Sequence, residues 1–445
     1  MGGGAGAVQA ASGCARAYQR RRPEESALYE AVRAGLNTFL EETERIGRGL
    51  PRYVRQEFER YLECGILAHG FVRVRCDTCK DEVLVAFSCK RRGVCPSCNA
   101  KRAHLTAAHL VDGVLPQVPY RQWTFSFPWA VRFALARDVK LLSSVLTLCL
   151  RGLFAFQRRR AKKLGVRGGH SGAVTFVQRF GSALQLTPHF HVVAPDGVFT
   201  EEGGEVRFAA LPAPSQEEVE GLLRNVVRKV GRRLGTAGCA EEEGVEDALG
   251  AYQADSLQRR FGWAGLEVRP APRKQPRCAF VDGYSLHANT HLHAHDREGL
   301  EKLCRYGARG ALALERLTHA GEGRIAFRMK RPPPDGRTHL LFTPVQLLRK
   351  LATLVPPPRS NLVRFHGVFA PGAKLRPLVV KQVPSSGVRV AKALATSFPS
   401  VSLAFYCIEP VRFFRGRIHA RPAAHALSRF EEARRGHRRG GGGTS

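Results

Sequence analysis

The sequence predicts an α+β chain: an antiparallel sheet with flanking helices, preceded by a helical, cysteine-rich module. Three observations carry this reading. Apolar residues recur at helical spacing over the first sixty positions and again over 138–157. "AVTFVQRF" (173–180), a Gly181-Ser182 turn and "LTPHFHVVAPDG" (186–197) alternate as a hairpin does. Six of the twelve cysteines crowd into residues 64–98.

A chain of 445 residues exceeds one ordinary core, so two to four domains are expected. Seventy Lys+Arg against thirty-eight Asp+Glu leave a formal charge of +32. Such an excess calls for a polyanionic partner, nucleic acid first and a membrane surface second. "LLSSVLTLCLRGLFAF" (141–156) is interrupted by Arg151 and is not read as a membrane span. Arg20, Arg21 and Arg22 are not followed by the apolar stretch of a signal peptide. The protein is therefore expected inside a cell, in a reducing compartment, where clustered cysteines bind metal rather than pair with one another.

Residues 1–22 are Gly/Ala-rich, then basic, and are expected to be disordered. Two helices follow within 23–62: Pro23 to Ile46, carrying Leu28, Val32, Leu36 and Phe39 on one face, then Val54, Phe58, Tyr61 and Leu62. The cysteine module occupies 63–104. The sheet domain runs over 118–320, with an insertion at 200–277. Within it "QWTFSF" opens as a strand and 138–157 form a helix. The hairpin follows, then a helix capped by Ser215 and rich in arginine. "CAFVDGYSLHA" (278–288) is strand-like, and Asp296 starts a helix through about Leu317. Residues 321–385 form a C-terminal segment broken at "RMKRPPPDG" and "LVPPPRSN". The basic tail 386–445 lacks periodicity and is expected to be poorly ordered.

Cys76-x-x-Cys79 and Cys95-x-x-Cys98, fifteen residues apart, have the spacing of two knuckles closing one tetrahedral zinc site, as in a zinc ribbon. Four thiolates fill such a structural site completely. Cys64 and Cys89 are either further ligands or buried thiols. Lys90, Arg91, Arg92, Lys101 and Arg102 surround the second knuckle. They form either an array for phosphate contact or a solvated rim.

In a strand, successive side chains alternate faces. Leu184, Leu186, Phe190 and Val192 then share a core face, and Gln185, Thr187, His189 and His191 share the other. The two imidazoles stand about 7 Å apart at the backbone, within reach of one metal ion. A lone His-x-His on a strand is a weak signal, and ordinary packing is the alternative. A second such pair, His291 and His293, lies in a less strand-like setting. Tyr306 lies off the apolar face of its helix, with Lys302 four residues before it, Arg305 adjacent and Arg309 three after. It is either an ordinary boundary tyrosine or a phenol whose ionisation is eased by cations that also hold phosphate. Trp123, Phe125, Phe127 and Trp129 are either base-stacking residues or core.

The cysteine block, the strand, the His-Phe-His hairpin, "SLHA" and "DREGLEKLCRYGARG" together resemble the rolling-circle insertion-sequence transposases. More narrowly the chain is similar to the insertion-sequence-ninety-one group, within the His-hydrophobic-His (HUH) endonuclease superfamily. "SCKRRGVCPSC", "QRFGSALQLTPHFHVVAPDGVF", "LCRYGARGALALERL", "DGRTHLLF" and "LVPPPRSNLVRFHGVFAP" carry the likeness over roughly residues 25–380. The resemblance implies a palm-like HUH nuclease sheet behind an N-terminal zinc-binding domain. His189 and His191 would bind a catalytic Mg²⁺ or Mn²⁺, with His287 as third ligand and Gln178 as fallback. Tyr306 would be the nucleophile that forms a 5′-phosphotyrosine. Lys302 stands where some members carry a further tyrosine, so the single-tyrosine kind is implied. Lys90, Arg91, Arg92, Lys101, Arg102, Lys302, Arg305 and Arg309 would contact DNA. The implied partners are single-stranded or hairpin DNA at element ends, and target DNA, in a bacterial cytoplasm at the nucleoid. Two rival functions fit parts of the pattern: a non-catalytic zinc-dependent nucleic-acid-binding regulator, and a plasmid replication-initiator nickase.

Overall fold

The computed structural model describes residues 20–47, 49–75, 82–236, 248–258, 276–330 and 336–380. The expectations for residues 1–19, for the tail beyond 380, and for Cys76 and Cys79 lie outside the described residues. The chain divides into two compact units. In the smaller, residues 63–89 carry a hairpin in which β1 (Phe71–Arg75) pairs antiparallel with β2 (Glu82–Ala86).

The larger unit opens with α1 (Ala27–Ile46) and α2 (Arg52–Leu62). Ser26 caps α1 by accepting a hydrogen bond from Tyr29 N at 3.2 Å. The rings of Phe39 and Phe58 meet edge-on at 5.9 Å and join the two helices. Then follow α3 (Pro96–Gly113), β3 (Tyr120–Ser126), α4 (Trp129–Arg137), α5 (Val139–Lys163), β4 (Gly172–Phe180) and β5 (Leu186–Pro195). The hairpin β6 (Gly197–Glu202) and β7 (Glu205–Ala210) leads to α6 (Gln216–Thr236) and α7 (Ala248–Gln258). Next come β8 (Cys278–Val281), β9 (Tyr284–His287), β10 (His291–Leu292) and α8 (Arg297–Ala308). A small sheet of β11 (Leu317–Ala320), β12 (Arg324–Arg328) and β13 (His339–Phe342) precedes α9 (Pro344–Leu354), β14 (Val363–Gly367) and the short α10 (Arg376–Val379).

The main sheet is antiparallel throughout, in the order β14–β4–β5–β3–β9–β8, with β10 also beside β3. Its period-two pattern sends alternate residues to two helical layers. Trp123, Phe125, Phe190 and Val192 face α5 and α6, against Leu146, Leu153, Leu222 and Val226. Val174, Phe176 and Val193 face α3 and α8, against Leu110, Leu300 and Cys304. Burial of each such Leu, Val or Phe side chain contributes about 1.5–3 kcal/mol. At the turn after β5, Asp196 accepts from Arg121 Nε at 2.9 Å and from its second fork nitrogen at 2.6 Å. This buried bidentate pair ties β3 to the end of β5.

Four expectations shift. Residues 278–288 form two strands rather than one, because Asp282 (φ 47°) and Gly283 (φ 78°) make the left-handed two-residue turn of a tight hairpin. The helix capped by Asp296 ends at Ala308, and Leu317–Ala320 is the strand β11 instead. Residues 216–236, expected within an insertion, build α6, whose Val219, Leu223 and Val230 complete the core. By length and composition α5 is long and apolar enough to cross a membrane. Its apolar side is nonetheless the floor of the sheet, and Arg151 lies on the exposed side.

Phe190 has no exposed surface and packs edge-on against Phe127 at 5.1 Å. Phe190→Ala is expected to lower the unfolding free energy by about 3–5 kcal/mol, and Phe190→Leu by clearly less. Urea titrations of the two variants against wild type check the order.

Candidate functional site

The histidine pair sits on β5 between β4 and β3, on the face turned toward α8. One row across the sheet is Phe176–His191–Thr124–His287–Cys278. The next is Gln178–His189–Ser126–Ser285. Opposed residues of a row share a face, so these polar groups gather on one side while Trp123, Phe125 and Phe127 are buried on the other. The latter three are core, not stacking surface; Trp129, at the start of α4, is exposed.

The two imidazoles are locked from behind. His189 Nδ1 donates to the carbonyl of Thr187 at 2.7 Å, which leaves its Nε2 a lone pair. His191 Nε2 lies 3.1 Å from that atom and donates to it. The Gln122 amide donates to His191 Nδ1, and the Thr124 hydroxyl lies 3.2 Å from the same nitrogen. Moving the His191 proton from Nε2 to Nδ1, where the Thr124 hydroxyl accepts it and the Gln122 amide turns its oxygen rather than its N–H to the ring, frees two adjacent Nε2 lone pairs. That donor set suits a divalent cation. Burial above all, then the neighbouring His189 ring and Arg309, pushes the His191 pKa down to about 3. Burial lowers that of His189 as well, opposed by its bond to Thr187 and reinforced by Arg132 and Arg309. Both rings are thus neutral, the form in which imidazole ligates metal.

Tyr306 reaches this pair from the last turn of α8. Asp296 starts the helix by accepting from Gly299 N at 2.8 Å, and Leu300 and Cys304 bury its inner face. Gly307 lies flat on Phe176; a Cβ there would fall 2.5 Å from the ring. Gln178 Nε2 donates to the carbonyls of Tyr306 and Gly307 at 2.7 and 2.9 Å. These are carbonyls that a helix end leaves without intrahelical partners, so Gln178 clamps the helix end to β4. The Tyr306 ring then stands edge-on to His191, centroids 5.7 Å apart, with 43% of the residue exposed.

Of Lys302, Arg305 and Arg309, Arg309 is the one that lies over the phenol ring. Lys302 pairs with Glu298 at 2.6 Å, and Arg305 lies 3.8 Å from Glu301 and 3.4 Å from His104 Nδ1. Arg309 covers the Tyr306 ring at 4.5 Å and Lys330 approaches it at 5.5 Å. Lys330, Gln122 and Thr124 escaped the sequence reading. The alternation Gln122-Trp123-Thr124-Phe125-Ser126 did carry a signal for the two on β3. His287 stands in the same row as His191 but two strands away, and its Nδ1 lies 3.0 Å from Cys278 Sγ. Gln178 is the direct cross-strand neighbour of His189. The second His-x-His pairs with the far end of β3, where His291 lies 3.5 Å from Asp196.

The sulfur atoms of Cys64, Cys89, Cys95 and Cys98 all lie within 4.8 Å of one another. A tetrahedral Zn²⁺ with bonds of about 2.3 Å requires sulfurs about 3.8 Å apart, so the set fits a closed structural zinc site. Cys95 and Cys98 are thus joined by Cys64 and Cys89, while the expected partners Cys76 and Cys79 lie outside the described residues. Cys95 caps α3, whose N-terminal end favours thiolate charge. The Cys89 amide donates to Cys64 Sγ at 3.3 Å. Glu57, buried, accepts from the amides of Arg92, Gly93 and Val94 at 3.2, 2.9 and 3.2 Å, which fixes the approach to Cys95. In the basic rim, Lys90 and Lys101 are exposed. Arg91 donates to Gln56, Arg92 to the carbonyls of Pro357 and Ser360, and Arg102 to those of Lys90 and Arg91.

Cys64→Ser and Cys95→Ser are each expected to lower bound zinc by about one equivalent and to depress thermal stability. Elemental analysis with melting curves checks this; full zinc retention by Cys64→Ser would remove that residue from the site. A ring neutral in the fold but titrating near pH ~6.5 when unfolded binds fewer protons folded than unfolded. The stability tied to His191 is therefore complete above about pH 6.5 and is lost as pH falls toward about 3. His191→Gln is expected to flatten the stability–pH slope by about 1.4 kcal/mol per pH unit between about pH 6 and 4. Urea unfolding across that range measures it, and an unchanged slope would contradict a desolvated ring.

Residues 33–127 match the family model described as "Transposase zinc-binding domain", and residues 172–376 match the one described as "Putative transposase". No curated protein and no solved structure matches the chain. The first match ends just after β3 and contains all four clustered cysteines; the second runs from β4 to α10 and contains His189, His191 and Tyr306. Zinc module and sheet domain thus occur together in one chain, and the two matches together support an insertion-sequence-ninety-one-like transposase.

Proposed function

We propose that this transposase cuts and rejoins single-stranded DNA at the ends of its element through a covalent tyrosine intermediate, as in rolling-circle transposition. The observation that supports the reading is the ring contact between Tyr306 and His191, with His189 alongside, from positions over a hundred apart in sequence. A metal-ready imidazole pair beside an exposed phenol, flanked by Arg309 and Lys330, is the equipment of phosphoryl transfer to tyrosine.

Tyr306 Oη attacks the scissile phosphorus in line. The bond from phosphorus to the 3′ oxygen breaks, the phenolic proton is released to solvent, and the departing oxygen takes up a proton as a free 3′-OH. The other product is a 5′-phosphotyrosine. Arg309 and Lys330 stabilise negative charge that gathers on the phosphate oxygens. His189 and His191 would hold a Mg²⁺ or Mn²⁺ ion, with Gln178 or His287 as third ligand, and the chemistry such an ion would supply is Lewis-acid polarisation of the scissile phosphate. The covalent bond conserves the phosphodiester energy, so the 3′-OH of another strand can reverse the step on Tyr306 without a nucleotide cofactor. With Lys302 one turn before Tyr306, α8 carries a single tyrosine, which suits a one-nucleophile cycle. Residues 63–104 and exposed cations such as Lys90 and Lys101 hold hairpin ends and target DNA by backbone charge.

Mixing full-length protein with labelled single-stranded element-end DNA and Mn²⁺ tests the reading. Wild type is expected to give an SDS-resistant adduct, Tyr306→Phe none, and both to bind the DNA within about twofold of each other. Equal adduct from the two proteins would remove Tyr306 as nucleophile. Binding without any adduct from wild type would favour the non-catalytic regulator.

A further inference from the structure

A cavity of about 250 Å³ opens beside the tyrosine helix, within the larger unit. The end of β4, the residues after α8, the first turns of α3 and the 354–363 segment enclose it. Four arginines line it: Arg92, Arg102, Arg179 and Arg309. Asn99 and Asn361 add polar wall, and Val177 and Leu362 lie among the apolar wall.

Arg179 is the telling residue. Only 4% of it is exposed, and no carboxylate pairs with it among the described residues. One nitrogen of its fork donates to the carbonyl of Ala136 at 3.1 Å, and its buried Nε has no hydrogen-bond partner among the described residues. A buried cation left without an anion is costly. Arg309 repeats the pattern: its Nε is buried and without a hydrogen-bond partner among the described residues, and its charge rests on the rings of Phe180 and Tyr306. Glu57, the carboxylate that acts on Arg92, is already engaged by the three amides of residues 92–94. The cavity is thus a cationic hollow whose lining suits an anion. Its volume is several times the ~30 Å³ share of one water molecule. Arginine forks match the paired oxygens of a phosphate group.

We propose that this cavity seats a second, non-scissile phosphate of the bound DNA strand, held by the Arg179 fork, with Arg309 linking it to the reacting phenol. The assignment rests on the strand-cutting reading for its partner but concerns binding, not chemistry. It gives the buried arginine a role: a fixed anchor that sets the register of the strand over Tyr306.

The test uses full-length protein and a fluorescent mixed-sequence single-stranded 20-mer in EDTA, so that no cleavage occurs. Arg179→Met removes the unpaired charge at nearly constant volume. It is expected to melt at or above the wild-type temperature, to bind the 20-mer about tenfold more weakly, and to lose about 0.7 from the slope of log K against log salt, the value for one phosphate contact on a single strand. Asn361→Asp, which adds a carboxylate to the cavity wall, is expected to weaken binding with Arg179 in place, and serves if the methionine variant fails to fold. Unchanged affinity and salt slope in the variants would overturn the proposal. So would saturation by inorganic phosphate with no effect on the slope, which would assign the cavity to a small phosphate compound. An adduct in Mn²⁺ that depends on Tyr306, together with an unchanged slope in Arg179→Met, would sink the cavity assignment alone. A lowered slope without any adduct from wild type would sink the nuclease reading alone.

Discussion

Alternation along β5 is the constraint on which the rest of the site depends. Phe190 points into the layer of α5 and α6, so His189 and His191 must point the other way. A slip of one residue in register would turn both imidazoles into the apolar layer of α5 and α6 and the phenylalanine onto the polar face. That slip is blocked twice, by β4 on one side and β3 on the other, and by the Arg121–Asp196 pair at the strand's end. The geometry of the histidine pair is therefore set by core packing behind it.

The polar face of the same sheet does the fine positioning. Thr187 fixes one ring and Gln122 and Thr124 hold the other, while burial keeps both neutral. Gln178, one strand over, clamps the last carbonyls of α8, and Gly307 lets that helix lie close on Phe176. Tyr306 is thereby held at the edge of the His191 ring with its face under Arg309. For the proposed reaction, a rigid sheet and a clamped helix end would limit reorganisation on substrate binding, which is what pre-organised electrostatic catalysis requires.

The four-cysteine cluster shows a different economy. It holds Cys95 and Cys98 at the start of α3, and α3 in turn packs against α8. Glu57 secures the loop between, so the metal site, the basic rim and the tyrosine helix share one helix as a common support. Arg92 and Arg102, cations in the sequence, act in the fold partly as braces on backbone carbonyls.

Much of this was legible in one dimension. The period of β5 sorted His189 and His191 from Phe190, the caps Ser215 and Asp296 marked helix starts, and the quoted motifs pointed to the transposase family. Local rules suffice there because strand and helix periodicity act over a few residues. The Asp282-Gly283 hairpin is equally local, set by two adjacent left-handed residues. Other features follow only from the folded chain. Cys64 and Cys89 join Cys95 and Cys98, Arg309 rather than Lys302 covers the phenol, and Arg179 is buried without a carboxylate partner among the described residues. Each depends on segments distant in sequence being packed together, and spacing along the chain carries no information about which of several like residues will meet. The sequence by itself determined which side chains face together on each element; tertiary packing decided which elements share a site, because the burial energy that brings them together is non-directional and is settled by the whole core.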